Sequence, residues 1–230
     1  MKTIGLLGGM SWESTLPYYR IVNQTIQQRL GGLHSAKIVL LSVDFHEIAE
    51  LQRLGNWETA GKLLADAAQR LEAAGANFIV LCTNTMHQVA AAIEEVTAIP
   101  LLHIADATAS AIKAAGHHTV GLLGTTFTME QTFYKDRLQE HHGLRVLVPD
   151  AEQRKLVHRV IYEELCLGRV LPQSRAAYRS IMAQLSAQGA QAIILGCTEI
   201  SLLISAEESE VPLFDTTQIH AKSAAEFALE

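Results

Sequence analysis

"AGANFIVLCTNT" (residues 74–85) and "QGAQAIILGCTE" (residues 188–199) decide the fold, because they are one kind of segment met twice. Each runs from a glycine turn through unbroken apolar residues into a polar end. Apolar runs without alternation read as strands buried on both faces, the signature of parallel sheets under helices. Two further blocks match in the same order: "IGLLGGMSWESTLPYY" at 4–19 with "VGLLGTTFTMEQTFY" at 120–134, and "IPLLHI" at 99–104 with "VPLFDT" at 211–216. Such self-similarity is the sequence mark of a repeated structural unit.

The repeat predicts an α/β protein of two similar lobes, each a parallel sheet flanked by helices. The lobes are expected over 1–104 plus 216–230 and over 105–215, related by a pseudo-twofold. Expected strands are Thr3–Leu7, Lys37–Val43, Phe78–Leu81, Leu101–Ile104, Thr119–Leu123, Leu144–Val148, Ala192–Leu195 and Leu213–Phe214, with helical patterns such as Trp57–Ala74 and Gln173–Gln188 between them. In open α/β sheets ligands bind beyond the carboxyl ends of the strands. The active site is therefore expected in the cleft between the lobes.

The repeat also fixes a register. Gly75 and Gly189 lie 114 positions apart, and so do Thr83 and Cys197. Cys82 falls opposite Gly196 instead. Successive strand residues point to opposite faces, so if Thr83 points into a cleft, Cys82 points away from it and reads as a core thiol.

Composition narrows the function classes. The 230 residues carry a formal net charge of -6, with 49% hydrophobic and 18% charged residues. That is a globular balance, and neither the charge nor any Lys/Arg cluster suits nucleic acid. No apolar run reaches the roughly 20 residues of a membrane span, and no signal peptide is visible. The three cysteines, Cys82, Cys166 and Cys197, show no CxxC spacing, which argues against disulfides and zinc. A cytoplasmic location without membrane or nucleic-acid partners is expected. "GLLGGM" lacks dinucleotide-fingerprint spacing and no phosphate-binding P-loop motif occurs, so no nucleotide cofactor is expected.

Four turns follow strands and open helical patterns: Gly8-Gly9-Met10-Ser11, Thr83-Asn84-Thr85, Gly124-Thr125-Thr126 and Cys197-Thr198-Glu199. Backbone N–H groups, hydroxyls and amides at such turns suit a carboxylate, although Ser, Thr and Asn are also ordinary helix caps. At a helix N-terminus Cys197 is expected to have its pKa lowered toward thiolate, fit to serve as base or nucleophile. A threonine hydroxyl can give up a proton but is a very poor base.

With these residues in view, the chain resembles the aspartate/glutamate racemase family over its whole length, most strongly in "GLLGGMSWEST" at 5–15, "NTMH" at 84–87 and "GCTEI" at 196–200. The resemblance implies a cofactor-independent amino-acid racemase, without pyridoxal phosphate, acting on L-aspartate or L-glutamate. The family uses two cysteines on opposite faces of the α-carbon. Here only Cys197 matches, and Thr83 stands where the first is expected. Cys197 would remove the α-proton and Thr83 would donate on the other face. The resemblance further implies ligand contacts from Met10, Gln52 (or Arg53) and Tyr162, beside those expected at the turns from Asn84, Thr85, Thr125, Thr126, Thr198 and Glu199. His87 either orients its loop or is structural. Cys166 stands where some members carry lysine, which points to a broader substrate range. The expected partner is a small amino-acid substrate, and a homodimer is the common state of the family. Two other readings stay open: a single-cysteine decarboxylase or isomerase of the same superfold, and an amino-acid-binding sensor with impaired catalysis.

Overall fold

A computed structural model describes all residues, 1–230. Eight strands run in chain order as β1 (Ile4–Gly8), β2 (Ile38–Ser42), β3 (Phe78–Leu81), β4 (Leu101–Leu102), β5 (Thr119–Gly124), β6 (Arg145–Leu147), β7 (Ala192–Gly196) and β8 (Leu213–Asp215). The α-helices are α1 (Trp12–Leu30), α2 (Phe45–Arg53), α3 (Trp57–Ala73), α4 (Ala90–Glu94), α5 (Ile104–Ala114), α6 (Thr126–Glu130), α7 (Thr132–Asp136), α8 (Ala151–Glu163), α9 (Pro172–Ala187), α10 (Ile200–Leu203) and α11 (Thr216–Leu229). The strands form two four-stranded parallel sheets with identical orders, β2-β1-β3-β4 and β6-β5-β7-β8. This is the expected α/β class with helices on the sheets.

The pairing registers match the sequence repeat residue for residue. Ile4 pairs with Phe78 in the first sheet, and Val120 pairs with Ala192 in the second. Ile79 pairs with Leu101, and Ile193 with Leu213. The packing against helices repeats too. A Cβ on Gly5 would lie 2.8 Å from Ala76 Cβ and 3.5 Å from Leu71 Cβ, while one on Gly121 would lie 3.0 Å from Leu185 Cδ1. In each sheet the first strand thus carries a glycine where a helix of the repeat, α3 or α9, packs closely.

The chain divides into two compact units, Met1–Ile104 with His220–Glu230, and Ala105–Ile219. In the first unit the pleat sorts the side chains. Phe78, Val80 and Cys82 pack with Tyr18, Val22 and Ile26 of α1 and with Ala221, Ala224 and Ala225 of α11. Ile79 and Leu81 face the other way, against Leu64, Ala68 and Leu71 of α3. Each fully buried Leu, Ile or Phe side chain contributes about 1.5–3 kcal/mol, so both faces are firmly committed. In the second unit β5 and β7 are buried almost end to end, as are Val157, Val160 and Ile161 of α8 and Tyr178, Ile181 and Leu185 of α9.

All eight expected strands are present; seven differ from expectation by one residue or two at an end, and only β3 matches at both. β4 stops at Leu102 rather than Ile104, because the Ile104 N–H donates to His87 Nε2 (3.2 Å) and α5 begins there. No helix is long and apolar enough to cross a membrane.

Candidate active site

In the first unit β1 and β3 are neighbours, so the turns after them lie side by side. Gly9 has φ +95, and a Cβ there would collide with the Val43 backbone; its N–H donates to Thr15 Oγ1 (2.9 Å). Only glycine suits this tight turn. Met10, which follows, is buried in a cluster with Leu7, Ile48 and Met86. Gln52 is buried and its Nε2 donates to Met86 Sδ at 3.0 Å. Arg53, by contrast, is exposed and paired with Glu50 (2.8 Å). Gln52, not Arg53, therefore shares the Met10–Met86 side of the unit.

Thr83, Asn84 and Thr85 are all buried, Thr83 being 7% exposed. The Thr83 N–H donates to Leu81 O (2.8 Å), which turns the chain out of the strand. His87 accepts from Ile104 N–H at Nε2 and so carries its proton on Nδ1, which donates to Thr83 O at 2.7 Å. It staples the end of β3 to the start of α5. The His103 ring lies 4.4 Å from it. Deeper in the unit, Tyr18 Oη donates to His220 Nδ1 (2.9 Å) while His220 Nε2–H donates to Leu102 O (2.8 Å). Burial pushes the His220 pKa down to about 4.

In the second unit β5 and β7 end at paired glycines, Gly124 and Gly196. A Cβ on Gly124 would lie 2.9 Å from Gly196 O, so these glycines let the strand ends meet. Thr125 caps α6, its Oγ1 accepting from Thr128 N–H (3.3 Å). The Thr126 N–H donates to His158 Nδ1 at 3.2 Å, and the Thr126 hydroxyl lies 3.1 Å from the same nitrogen. The His158 ring packs on Tyr162 (4.7 Å), and burial lowers the His158 pKa. Tyr162 lies within electrostatic reach of Cys197, Cys166 and Glu199, and burial holds its phenol neutral.

Cys197, 9% exposed, donates its S–H to Glu199 Oε2 at 3.1 Å, and Thr198 Oγ1 donates to the same oxygen at 2.6 Å. The expectation of an acidified thiol is overturned. Burial and the Glu199 carboxylate push the Cys197 pKa well above the ordinary thiol range. The physical reason is local: α10, which follows, has only four residues and little dipole to offer, while a carboxylate touches the sulfur. Cys166 is partly buried, and burial together with Glu199 pushes its thiol up as well. Cys82 is fully buried, with its Sγ 3.6 Å from Val80 O, and burial alone raises its pKa.

Within each unit the residues singled out from sequence thus gather at the carboxyl ends of the two central strands: Met10 with Thr83, Asn84 and Thr85, and Thr125 and Thr126 with Cys197, Thr198 and Glu199. Sequence reasoning missed the Glu199 bond to the thiol, although Cys-Thr-Glu spacing was its visible signal. It also missed the His220–Tyr18 pair, for which a lone histidine gives no signal.

A family model described as Asp/Glu/Hydantoin racemase matches residues 7–224. The chain is 27% identical over 223 residues to RacX of Bacillus subtilis (strain 168), a broad specificity amino-acid racemase, covering 96% of this chain and 95% of that one. A Yersinia pestis protein of known crystal structure is 60% identical with a TM-score of 0.94, each chain covered in full. The crystal structure of an aspartate racemase homologue from Pyrococcus horikoshii OT3 is 36% identical with a TM-score of 0.86, again over all of both chains. With a family model spanning nearly the whole chain and full-length relatives at this identity, the chain belongs to the Asp/Glu/hydantoin racemase family.

Proposed function

We propose that this chain racemises L-aspartate and L-glutamate without a cofactor, and that Cys197 removes the α-proton while Thr83 delivers one to the opposite face. The observation that carries the reading is positional. Thr83 and Cys197 occupy equivalent places after β3 and β7, in sheets of identical register. A two-base racemase needs one proton-transferring group from each side, and the repeat supplies one in each unit. The broad specificity of RacX and the relation to an aspartate racemase homologue support the substrate class. Gln52 and Tyr162 would contact the substrate, and with cysteine at 166 neutral side chains are admitted too. The functional unit would be a homodimer.

The pair is chemically unequal, since a hydroxyl is a far weaker base than a thiolate. Enantiomers have equal free energies in water, so at full equilibrium both directions must balance. That balance makes kcat/KM equal for L and D, so the inequality shows in the separate parameters, with saturating L-substrate turned over strongly in initial rates and saturating D-substrate poorly. The test is incubation of L-glutamate or L-aspartate in heavy water, following the α-proton by NMR and the product by chiral chromatography. Exchange with D-product is the expected result. Exchange without D-product would leave Thr83 without its role, and saturable binding without exchange would favour a sensor.

A further inference from the structure

We propose that Glu199 takes the proton of the Cys197 thiol, so that the two side chains act as one proton-sharing base. The inference rests on the reading of Cys197 as the group that attacks the α-proton, and it assigns Glu199 a role different from substrate contact.

Three observations carry it. The Cys197 thiol donates to Glu199 Oε2 at 3.1 Å. Both groups are buried, at 9% and 3% exposure, so the bond is shielded from competing water. Oε2 also accepts from Thr198 Oγ1 at 2.6 Å, which holds the carboxylate against the sulfur. The other titratable groups facing the pair are Cys166, in the 3-10 turn Leu165–Leu167, Tyr162 of α8 and Tyr178 of α9.

The physical argument turns on charge. If the thiol lost its proton to water, two anions would sit in contact in a buried site, which is why the thiol resists ionisation. Moving the proton from sulfur to Oε2 leaves one negative charge in the same place. The transfer avoids both the repulsion and the cost of burying a second charge. The S–H bond breaks, an O–H bond forms at Oε2 and the sulfur keeps its electron pair. That pair takes the α-proton of the substrate, and the α-carbon retains the electrons of the broken C–H bond. The Thr83 O–H proton goes to the other face of the carbon. Once product leaves, Oε2 gives its proton to bulk solvent and the Thr83 oxygen takes one from it, restoring the starting state.

Internal transfer has a signature that a structural role lacks. Over the range in which the pair holds a single proton, thiolate formation does not depend on pH. Without the carboxylate, it rises about tenfold per pH unit, as for any simple thiol below its pKa. The experiment is alkylation of Cys197 by iodoacetamide in the full chain, read by peptide mass spectrometry from about pH 6 to 8. A rate flat within about twofold is expected for the wild type, and a rise of about tenfold per unit for Glu199→Gln. A steep wild-type profile, or a flat one in Glu199→Gln, would overturn the proposal. Thr198→Val guards against misfolding of that variant. With the Thr198 hydroxyl gone from Oε2, its profile should stay flat at a level several-fold higher, and an unchanged level would count against proton sharing. Alkylation needs no substrate, so it is separable from the racemase reading. That reading fails instead if α-proton exchange survives in Cys197→Ala.

Discussion

The ends of β3 and β7 are the same place in two copies of one architecture, yet their chemistry differs. β3 runs Leu81-Cys82-Thr83 and β7 runs Leu195-Gly196-Cys197. A thiol one residue earlier continues the Phe78–Val80 face into the core under α1 and α11. A thiol one residue later meets Glu199. The supporting groups differ as well. Thr83 is held through its backbone by a neutral histidine, whereas Cys197 is held through its sulfur by a carboxylate. A shift of one position in a strand end therefore separates a packing cysteine from a candidate base, because side-chain direction alternates with each residue.

The largest effect that can break this comparison is at Cys197. Cys197→Ala should lower α-proton exchange from L-glutamate by about 10³-fold, in the range expected when a proton-transferring group is removed. Retained exchange would place the base elsewhere.

A different buried histidine of the first unit, His220 of α11, predicts a pH effect on stability. The His220 pKa is depressed to about 4 in the folded chain, against about 6.5 when unfolded. Above about pH 6.5 both states are neutral and nothing is lost. As pH falls from there toward 4 the unfolded chain binds a proton that the folded chain refuses. Stability should therefore drop by about 3 kcal/mol across that window. Urea unfolding of wild type and His220→Gln at a series of pH values measures it, and equal pH dependence in both would rule His220 out.

Thr83→Cys makes the two strand ends alike. A thiol is a better base than a hydroxyl, so initial turnover of D-glutamate should rise about tenfold or more, read by chiral chromatography. No gain would mean that position 83 is not the second proton-transferring site.

The smallest effect is at Cys82. Cys82→Ala should cost about 1 kcal/mol for the lost core volume and leave most of the exchange activity. A large activity loss with an intact fold would reverse the assignment of the two cysteines.

Much of this was legible in the chain itself. The apolar runs and their repeat determine two parallel sheets of one topology, because strands covered on both faces must be apolar throughout and a repeated pattern must fold the same way twice. The 114-residue spacing of Thr83 and Cys197 follows from the same repeat, and alternation assigns Cys82 to the core. What the chain did not disclose is set by contacts between residues remote in sequence or by burial. The turn after β7 reads as a helix start that would acidify Cys197, and only the folded unit shows a carboxylate on the sulfur with too short a helix to oppose it. Gln52 and Arg53 are neighbours with equal claims in sequence, and the packing of α2 sends one to Met86 and the other to solvent. His220 meets Tyr18 across 202 positions of chain. Local pattern records which face a residue takes, but the electrostatics of a buried group depend on what the whole fold brings against it, and only the tertiary structure decides that.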